Sequence, residues 1–416
     1  MDRETMPQDP SAGTVKDPSA RAAAAGRRNL TLLTTCQFLY YMGMGIDLTL
    51  TAVVGLRLAP TPVLATLPIT LMGAAAMIAN FSAGLLSDRF GHRRVAAGGA
   101  ATAVAGGLVS MAGIRSGDFS VLCLGTALVG LYKATGGYFR YLAADSVPRE
   151  SRERAVSVLL CGGVLAAFLG PWAATACAGL LDTEYAGSYL LVSVLAAAVI
   201  PPVLAVRTGP AEEEQQPPPP PVRIRAAART LQFRTAFATL TVGGCVMTLL
   251  MSAGPLGSRH AGHSDSVGAF VIQAHMVGMF APSLFSGWLN TALGPRRNAV
   301  LGAALLATGA LVGAVHTGVA AFVVALSLIG VGWNFLYVAG STFVVRCYPP
   351  HAGGRVQAAV EGGTGVFLTA SSFVSGYLFT TLGWQILSTL AALPPLLLCL
   401  WLSTAPRGAG PGEKTD

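Results

Sequence analysis

The sequence predicts an all-α membrane protein of about twelve transmembrane helices, set out as two six-helix, pseudo-symmetric halves. Three observations predict it. The 416-residue chain is 53% hydrophobic and only 11% charged, with a mean hydropathy of +0.59. That balance suits a lipid environment. A run of five prolines, Pro217 to Pro221, interrupts the apolar segments at the middle of the chain. Finally, motifs in the first half recur in step about 200 residues later.

Taken in order, residues 1–28 are polar and lack the apolar centre of a signal peptide, so they are expected to be a disordered cytoplasmic tail. Residues 29–207 hold six apolar segments of roughly 20 residues or more, enough to span a bilayer, near 30–56, 63–86, 95–114, 119–146, 155–181 and 187–206. Residues 208–229 are expected to be an extended, semi-rigid linker, because consecutive prolines cannot continue a helix. Residues 230–405 hold the second six, near 232–256, 267–290, 298–316, 319–345, 356–381 and 384–404, and 406–416 form a second tail. Of the 27 Lys and Arg, Arg57, Arg115 and Arg259 fall in one set of connections, Lys133 and Arg140 lie inside the fourth segment, and the rest fall in the opposite set and the tails. The positive-inside rule then places both termini in the cytoplasm, in a cytoplasmic membrane. The net charge of +8 is explained by these loops and does not imply nucleic acid. Seven cysteines without a CxxC pair give no disulfide framework, and Cys245 is a weak ligand candidate.

Two echoes join the halves. GLLSDRFGHRR at 84–94 returns as GWLNTALGPRR at 287–297, and Pro148, Arg154, Gly162 and Gly163 return as Pro349, Arg355, Gly362 and Gly363. The first loop resembles the signature loop of the major facilitator superfamily. The resemblance covers the whole chain in helix number, repeat and linker. It implies a monomeric transporter that works by alternating access, with Gly84, Asp88, Arg89, Gly91, Arg93 and Arg94 as a gating motif. The second copy has Thr291 in place of the acid. Gly170-Pro171 resembles part of an antiporter motif without its further glycines, and is read as a kink and packing feature.

Met247 and Met251, then His275 and Met279, lie four apart on the seventh and eighth segments. Residues at that spacing share a helix face. Methionine commonly fills gaps in apolar cores, but three thioethers and an imidazole also make a soft donor set suited to Cu(I), and a histidine within the membrane is costly. AADSVPRESRERAVS at 143–157, VIQAHMVGMFAPSLFSG at 271–287 and VGWNFLYVAGSTF at 331–343 resemble the CcoA-like copper transporters. That resemblance implies Met247, Met251, His275 and Met279 as copper ligands. QAAVE at 357–361 departs from the expected Asn-Asp pair, and the same branch contains flavin transporters.

Other intramembrane charges include Asp47, Lys133 and Glu361, candidates for substrate binding or ion coupling, with a helix–helix hydrogen bond at Asp47 and a structural ion pair at Glu361 as the alternative readings. Lys133 suits a bare cation poorly and an anionic or chelated solute well. Asp145 is read as a structural partner of Arg149 or Arg152. His260, His263 and Asp265 could gather metal ahead of the site; Tyr40, Tyr41, Trp333 and Trp384 are interface anchors or pore lining. The expected function is import of copper, as Cu(I), with the lipid bilayer and cuproenzyme assembly proteins as partners and no prosthetic group. The alternatives are transport of a small organic solute (a flavin, a metal chelate or an exported drug) and a non-transporting copper-binding assembly factor. With no nucleotide-binding loop or catalytic triad, an enzyme is not expected.

Overall fold

The structure, a computed structural model, describes residues 18–136, 152–206, 224–347 and 354–404, with residues 139, 142, 143 and 146. The first half comprises α1 (Pro18–Leu58), α2 (Leu67–Phe90), α3 (His92–Ser116), α4 (Phe119–Gly136), α5 (Arg152–Ala176) and α6 (Ala186–Ala205). The second comprises α7 (Leu231–His260), α8 (Asp265–Phe280), α9 (Ser283–Leu293), α10 (Pro295–Val315), α11 (Val319–Val345) and α12 (Gly354–Thr404). Regular structure among the described residues is entirely helical. Apolar side chains such as Trp172, Trp288, Leu397 and Leu400 stand exposed on the helices, as a lipid-facing surface requires.

Nine described helical segments are long and apolar enough to cross a bilayer, ten when α8 and α9 count as one bent crossing. The 46-residue stretch Ala359–Thr404 would run roughly 69 Å as one helix, about twice the hydrocarbon thickness. It turns at Gly383, whose φ of 77° no L side chain adopts comfortably, so the expected eleventh and twelfth spans meet at one residue. In the eighth span the helix bends by 45° between α8 and α9. Pro282 sits at the break; it lacks an N–H and cannot continue the α8 hydrogen-bond ladder.

At the other end, α1 starts at Pro18, so residues 18–28 are helical where a tail was expected. The alanine-rich stretch Ala20–Ala25 around Arg21 has high helix propensity, which outweighs the polar character of the region. Ile224–Ala227 within the expected linker forms one helical turn. Thr230 then caps α7, its hydroxyl accepting from the Phe233 N–H at 3.2 Å. Residues 207–223 and 405–416, and Arg140, Asp145 and Arg149, lie outside the described residues, as do the side chains of Gly84, Asp88 and Arg152.

The halves repeat each other's packing. α3 packs on α4 and α6 as α10 packs on α11 and α12; α1 packs on α5 as α7 does on α12; α2 packs on α4 as α8 does on α11. Gly91 and Gly294 break the chain at the same point, with φ of 81° and 79°. Beyond them Arg93 donates to the Leu204 carbonyl at 2.5 Å, and Arg296 to the Leu402 carbonyl at 2.6 Å. Each arginine thus caps the C-terminal end of its half's last helix, where carbonyls lack helical partners. The two motif arginines therefore hold a helix end within each half. Arg89 lies over the Phe90 ring at 5.3 Å, and Arg94 is exposed.

Close helix contact fixes the register. A methyl group at Gly130 on α4 would lie 2.2 Å from the Met72 carbonyl oxygen on α2; one at Gly330 on α11 would lie 2.5 Å from the His275 carbonyl oxygen on α8. Only glycine admits backbones this near. The pair of contacts equates Gly130 with Gly330 and Met72 with His275. Hydroxyls add to the clamp: Ser371 and Ser375 on α12 donate to the Cys245 and Leu249 carbonyls of α7, both at 2.7 Å. Each such bond contributes roughly 0.6 kcal/mol in a membrane.

The halves meet where α5 packs on α8 and α2 on α12. Hydrogen bonds that cross between them include Tyr185 hydroxyl to Asp265, Thr70 to Ser372 at 3.3 Å, and Gln273 to the Phe168 carbonyl at 2.5 Å. These lie away from the face that carries Arg93, Arg94, Arg296 and Arg297, here called the basic face.

Candidate functional site: a cavity between the halves

A cavity of about 430 Å³ opens between the two halves, lined by α1, α2 and α4 on one side and α7, α8, α11 and α12 on the other. Solute sites in proteins commonly measure about 300–1,000 Å³. Thr70 and Ser372 tie α2 to α12, with Ser372 itself part of the cavity lining. Asn80 and Glu361 line it toward the basic face.

The wall is apolar with few polar groups. Seven methionines line it, three from α1 and α2 (Met44, Met72, Met77) and four from α7 and α8 (Met247, Met251, Met276, Met279). Methionine is flexible and polarisable and packs well against aromatic ring edges. Aromatic side chains form two edges. Tyr41 from the first half meets Phe280 from the second with centroids 4.6 Å apart, and Trp333 stacks on Tyr337 at 5.1 Å and 22°. Tyr40 carries a second ring pair, edge-on to Tyr132 at 5.1 Å. The polar lining is Lys133, Glu361, Asn80 and a few hydroxyls. Lys133 sits deep in the fold yet is exposed, and the space it is exposed to is this cavity.

The four expected copper ligands do not all reach this space. Met247, Met251 and Met279 line it. His275 does not: it is fully buried, and its Nδ1 bonds the Leu326 carbonyl on α11 at 2.8 Å. Its Nε2 has no hydrogen-bond partner among the described residues. One helical position turns Met276 toward the cavity and His275 into the α8–α11 contact, because consecutive residues point about 100° apart. Among the described residues no three His, Cys, Asp or Glu side chains gather as a metal site. The loop residues expected to gather metal are committed elsewhere. His263 Nε2 bonds the Thr317 carbonyl at 2.9 Å, His260 stands edge-on to Phe379, and Asp265 pairs with Arg259 at 3.5 Å and accepts from Tyr185.

Of Asp47, Lys133 and Glu361, the latter two line the cavity. Asp47 does not. It is 0% exposed, in a separate void of about 10 Å³ bounded by Tyr40, Met44 and Tyr132. Tyr40, Tyr41 and Trp333 line the cavity, whereas Trp384 is buried against Phe322. Met72, Met77, Met276 and Asn80 were not singled out by sequence. The repeat offset, which aligns Met72 with His275, was a signal that could have drawn attention to Met72.

Comparison with known proteins agrees with this architecture. The family model described as Major Facilitator Superfamily matches residues 33–281 and 236–415. The riboflavin transporter RfnT of Brucella anthropi is 30% identical over 394 residues, covering 93% of this chain and 98% of that protein. Two uncharacterized MFS-type transporters of Bacillus subtilis, YddS and YdeG, are 24% and 25% identical, each over 89% of this chain and 89% and 90% of their own lengths. None of these three names refers to copper. Matched across both halves, the chain is a multi-pass membrane transporter, not an enzyme, and belongs to the Major Facilitator Superfamily.

Proposed function

We propose that this transporter carries a planar, heteroaromatic organic solute of the flavin class through the cavity between its halves. The observation that carries the reading is the chemistry of the cavity wall: aromatic faces and methionine sulfurs on most sides, with Lys133, Asn80 and Glu361 as isolated polar anchors. A flat conjugated ring system is held by stacking and sulfur–aromatic contact, and its ring carbonyls need a few donors to fix orientation. The name of the 30%-identical relative, a riboflavin transporter, supports the same solute class. Alternating access would open the cavity to each side in turn, with Asp88 and Arg89 at the hinge-side motif, the basic face in the cytoplasm, and a single chain as the working unit.

Copper import draws less support. Met247, Met251 and Met279 would offer soft donors, but the imidazole that completed the set spends Nδ1 on Leu326 and lies outside the cavity. The deciding experiment is uptake of radiolabelled riboflavin, and separately of Cu(I), into proteoliposomes holding the purified protein. Saturable riboflavin uptake, blocked by unlabelled flavin and absent from empty vesicles, is expected. Copper uptake without flavin uptake would overturn the proposal in favour of the metal. Copper binding without uptake of either would point to a non-transporting assembly factor.

A further inference from the structure

The eighth span is broken where it reaches the solute cavity, and a side chain from another helix clasps the break. α8 ends at Phe280 and α9 starts at Ser283, with a 45° bend between them. In a continuous helix the Met279 carbonyl would accept from the Ser283 N–H, four residues on. Here that carbonyl accepts from the Asn334 side-chain amide of α11 at 2.8 Å. The same amide nitrogen donates to the Ser283 hydroxyl at 2.7 Å. One amide nitrogen carries two N–H groups, so Asn334 holds one residue on each side of the break. Asn334 is 3% exposed, and its Oδ1 has no hydrogen-bond partner among the described residues.

The first half serves as a built-in control. Gly130 matches Gly330, and Met72 matches His275, in the helix contacts. The same offsets match Asn334 with Ala134, Met279 with Ala76 and Pro282 with Ala79. There α2 runs unbroken from Leu67 to Phe90, and the facing position on α4 is a buried alanine with no side-chain donor. The amide is present in the half that has the break and absent from the half that does not.

The break also lies beside the solute. Met279 and Phe280, the last residues of α8, line the cavity, and Phe280 meets Tyr41 of the first half with centroids 4.6 Å apart. Trp333, next to Asn334, lines the same cavity. A carbonyl left unpaired inside a membrane protein must find another partner. Without the amide, the segment has to resume the helix or draw in water. Either outcome moves Met279 and Phe280.

From these contacts we infer that Asn334 is a positioning residue of the transport site: its amide fixes the bend of the eighth span and so places Met279 and Phe280 against the solute. The identity of the solute rests on the flavin-class reading; the bend does not.

Two readouts test this. The first needs no solute. Hydrogen–deuterium exchange on purified protein compares wild type with Asn334→Leu, which keeps the volume and removes the donors. Exchange across residues 279–286 is expected to quicken about 5-fold, the worth of one hydrogen bond, with first-half peptides unchanged. Wild-type exchange in that segment overturns the inference, whatever the solute proves to be. Should Asn334→Leu fail to fold, Asn334→Ser, too short to reach both acceptors, answers the same question with the same outcomes. The second readout is riboflavin affinity by fluorescence quenching. Asn334→Leu is expected to weaken it about 3- to 10-fold. In a Met279→Ala/Phe280→Ala background the same change should cost less than about 2-fold, because the side chains it would misplace are gone. Losses that simply multiply would overturn the inference, since a residue that only stabilises the fold acts independently of those two. Thermal melting, expected to fall in both backgrounds, measures the stabilising part separately. Wild-type protein that binds no riboflavin sinks the solute reading instead, and the exchange result alone then decides for or against Asn334.

Discussion

Three residues past Gly130 the first half presents Lys133 to the cavity; three residues past Gly330 the second half presents Trp333. The glycines occupy equivalent helix contacts, against Met72 and His275. The two halves therefore share a packing scheme and part company where they face the solute. One side of the cavity offers the Lys133 ammonium. The other offers an indole stacked on Tyr337, one helical turn further along α11. The same divergence separates Met72, which lines the cavity, from His275, which turns into the helix contact. Duplication supplies a scaffold that needs both copies to pack alike. It leaves the facing positions open to different chemistry, a cation at one and an indole at the other.

The strongest way to break this comparison is to strike the shared scaffold. Gly130→Leu and Gly330→Leu each drive a side chain into a backbone carbonyl 2.2 or 2.5 Å from the first added carbon. Overpacking of this kind costs about 1–3 kcal/mol or more, and backbone cannot move aside as a side chain can. Both variants are expected to lose most of the monodisperse protein in size-exclusion chromatography. Tolerance of one and not the other would show that the halves do not share this contact.

A middle-sized effect separates the stacking wall from the buried histidine. Trp333→Ala is expected to weaken riboflavin binding about 2- to 10-fold, the worth of one aromatic pair, while Trp333→Phe recovers most of it. His275→Ala should leave affinity within about 2-fold and instead lower the melting temperature, since it removes the bond to Leu326 and opens a gap; the lost bond alone is worth about 1 kcal/mol. Fluorescence quenching of riboflavin and thermal melting read the two effects separately. A large affinity loss in His275→Ala with unchanged melting would place the histidine in the site after all.

The smallest effect concerns the connections away from the basic face. There Arg57 pairs with Glu184, and Tyr185, held at a φ of 70°, reaches Asp265 of the other half. The hydrogen bond from Arg57 holds the Glu184 carboxyl below its usual value. A lowered folded value means the pair stabilises above the unfolded carboxylate range, about pH 4.3, and the contribution is lost as pH falls through the lowered value. Both side chains are about half exposed, so solvent screening limits the worth to at most about 1 kcal/mol. Glu184→Gln should melt slightly below wild type at pH 7 and together with it near pH 3.

Much of the fold was legible because the bilayer imposes it. Long apolar segments must be helices, so their number, the six-and-six division and the repeat followed from hydropathy, Pro217–Pro221 and the paired Gly91 and Gly294 loops. Local propensity was the weaker guide: alanines carried α1 back to Pro18, and single residues, Pro282 and Gly383, decided where spans bend or meet. At the site, the sequence identified Lys133, Glu361, Met247, Met251 and Met279, all of which reach the cavity. It could not separate His275 from Met276, or Asp47 from the cavity it borders. Periodicity says which residues share a face of one helix; it does not say which neighbour that face meets. The sequence by itself determined a two-fold helical membrane protein with rare charges inside it. Only the tertiary structure decided which of those charges face the solute, because that depends on how seven helices from both halves are turned about their axes by glycine contacts far apart in the chain.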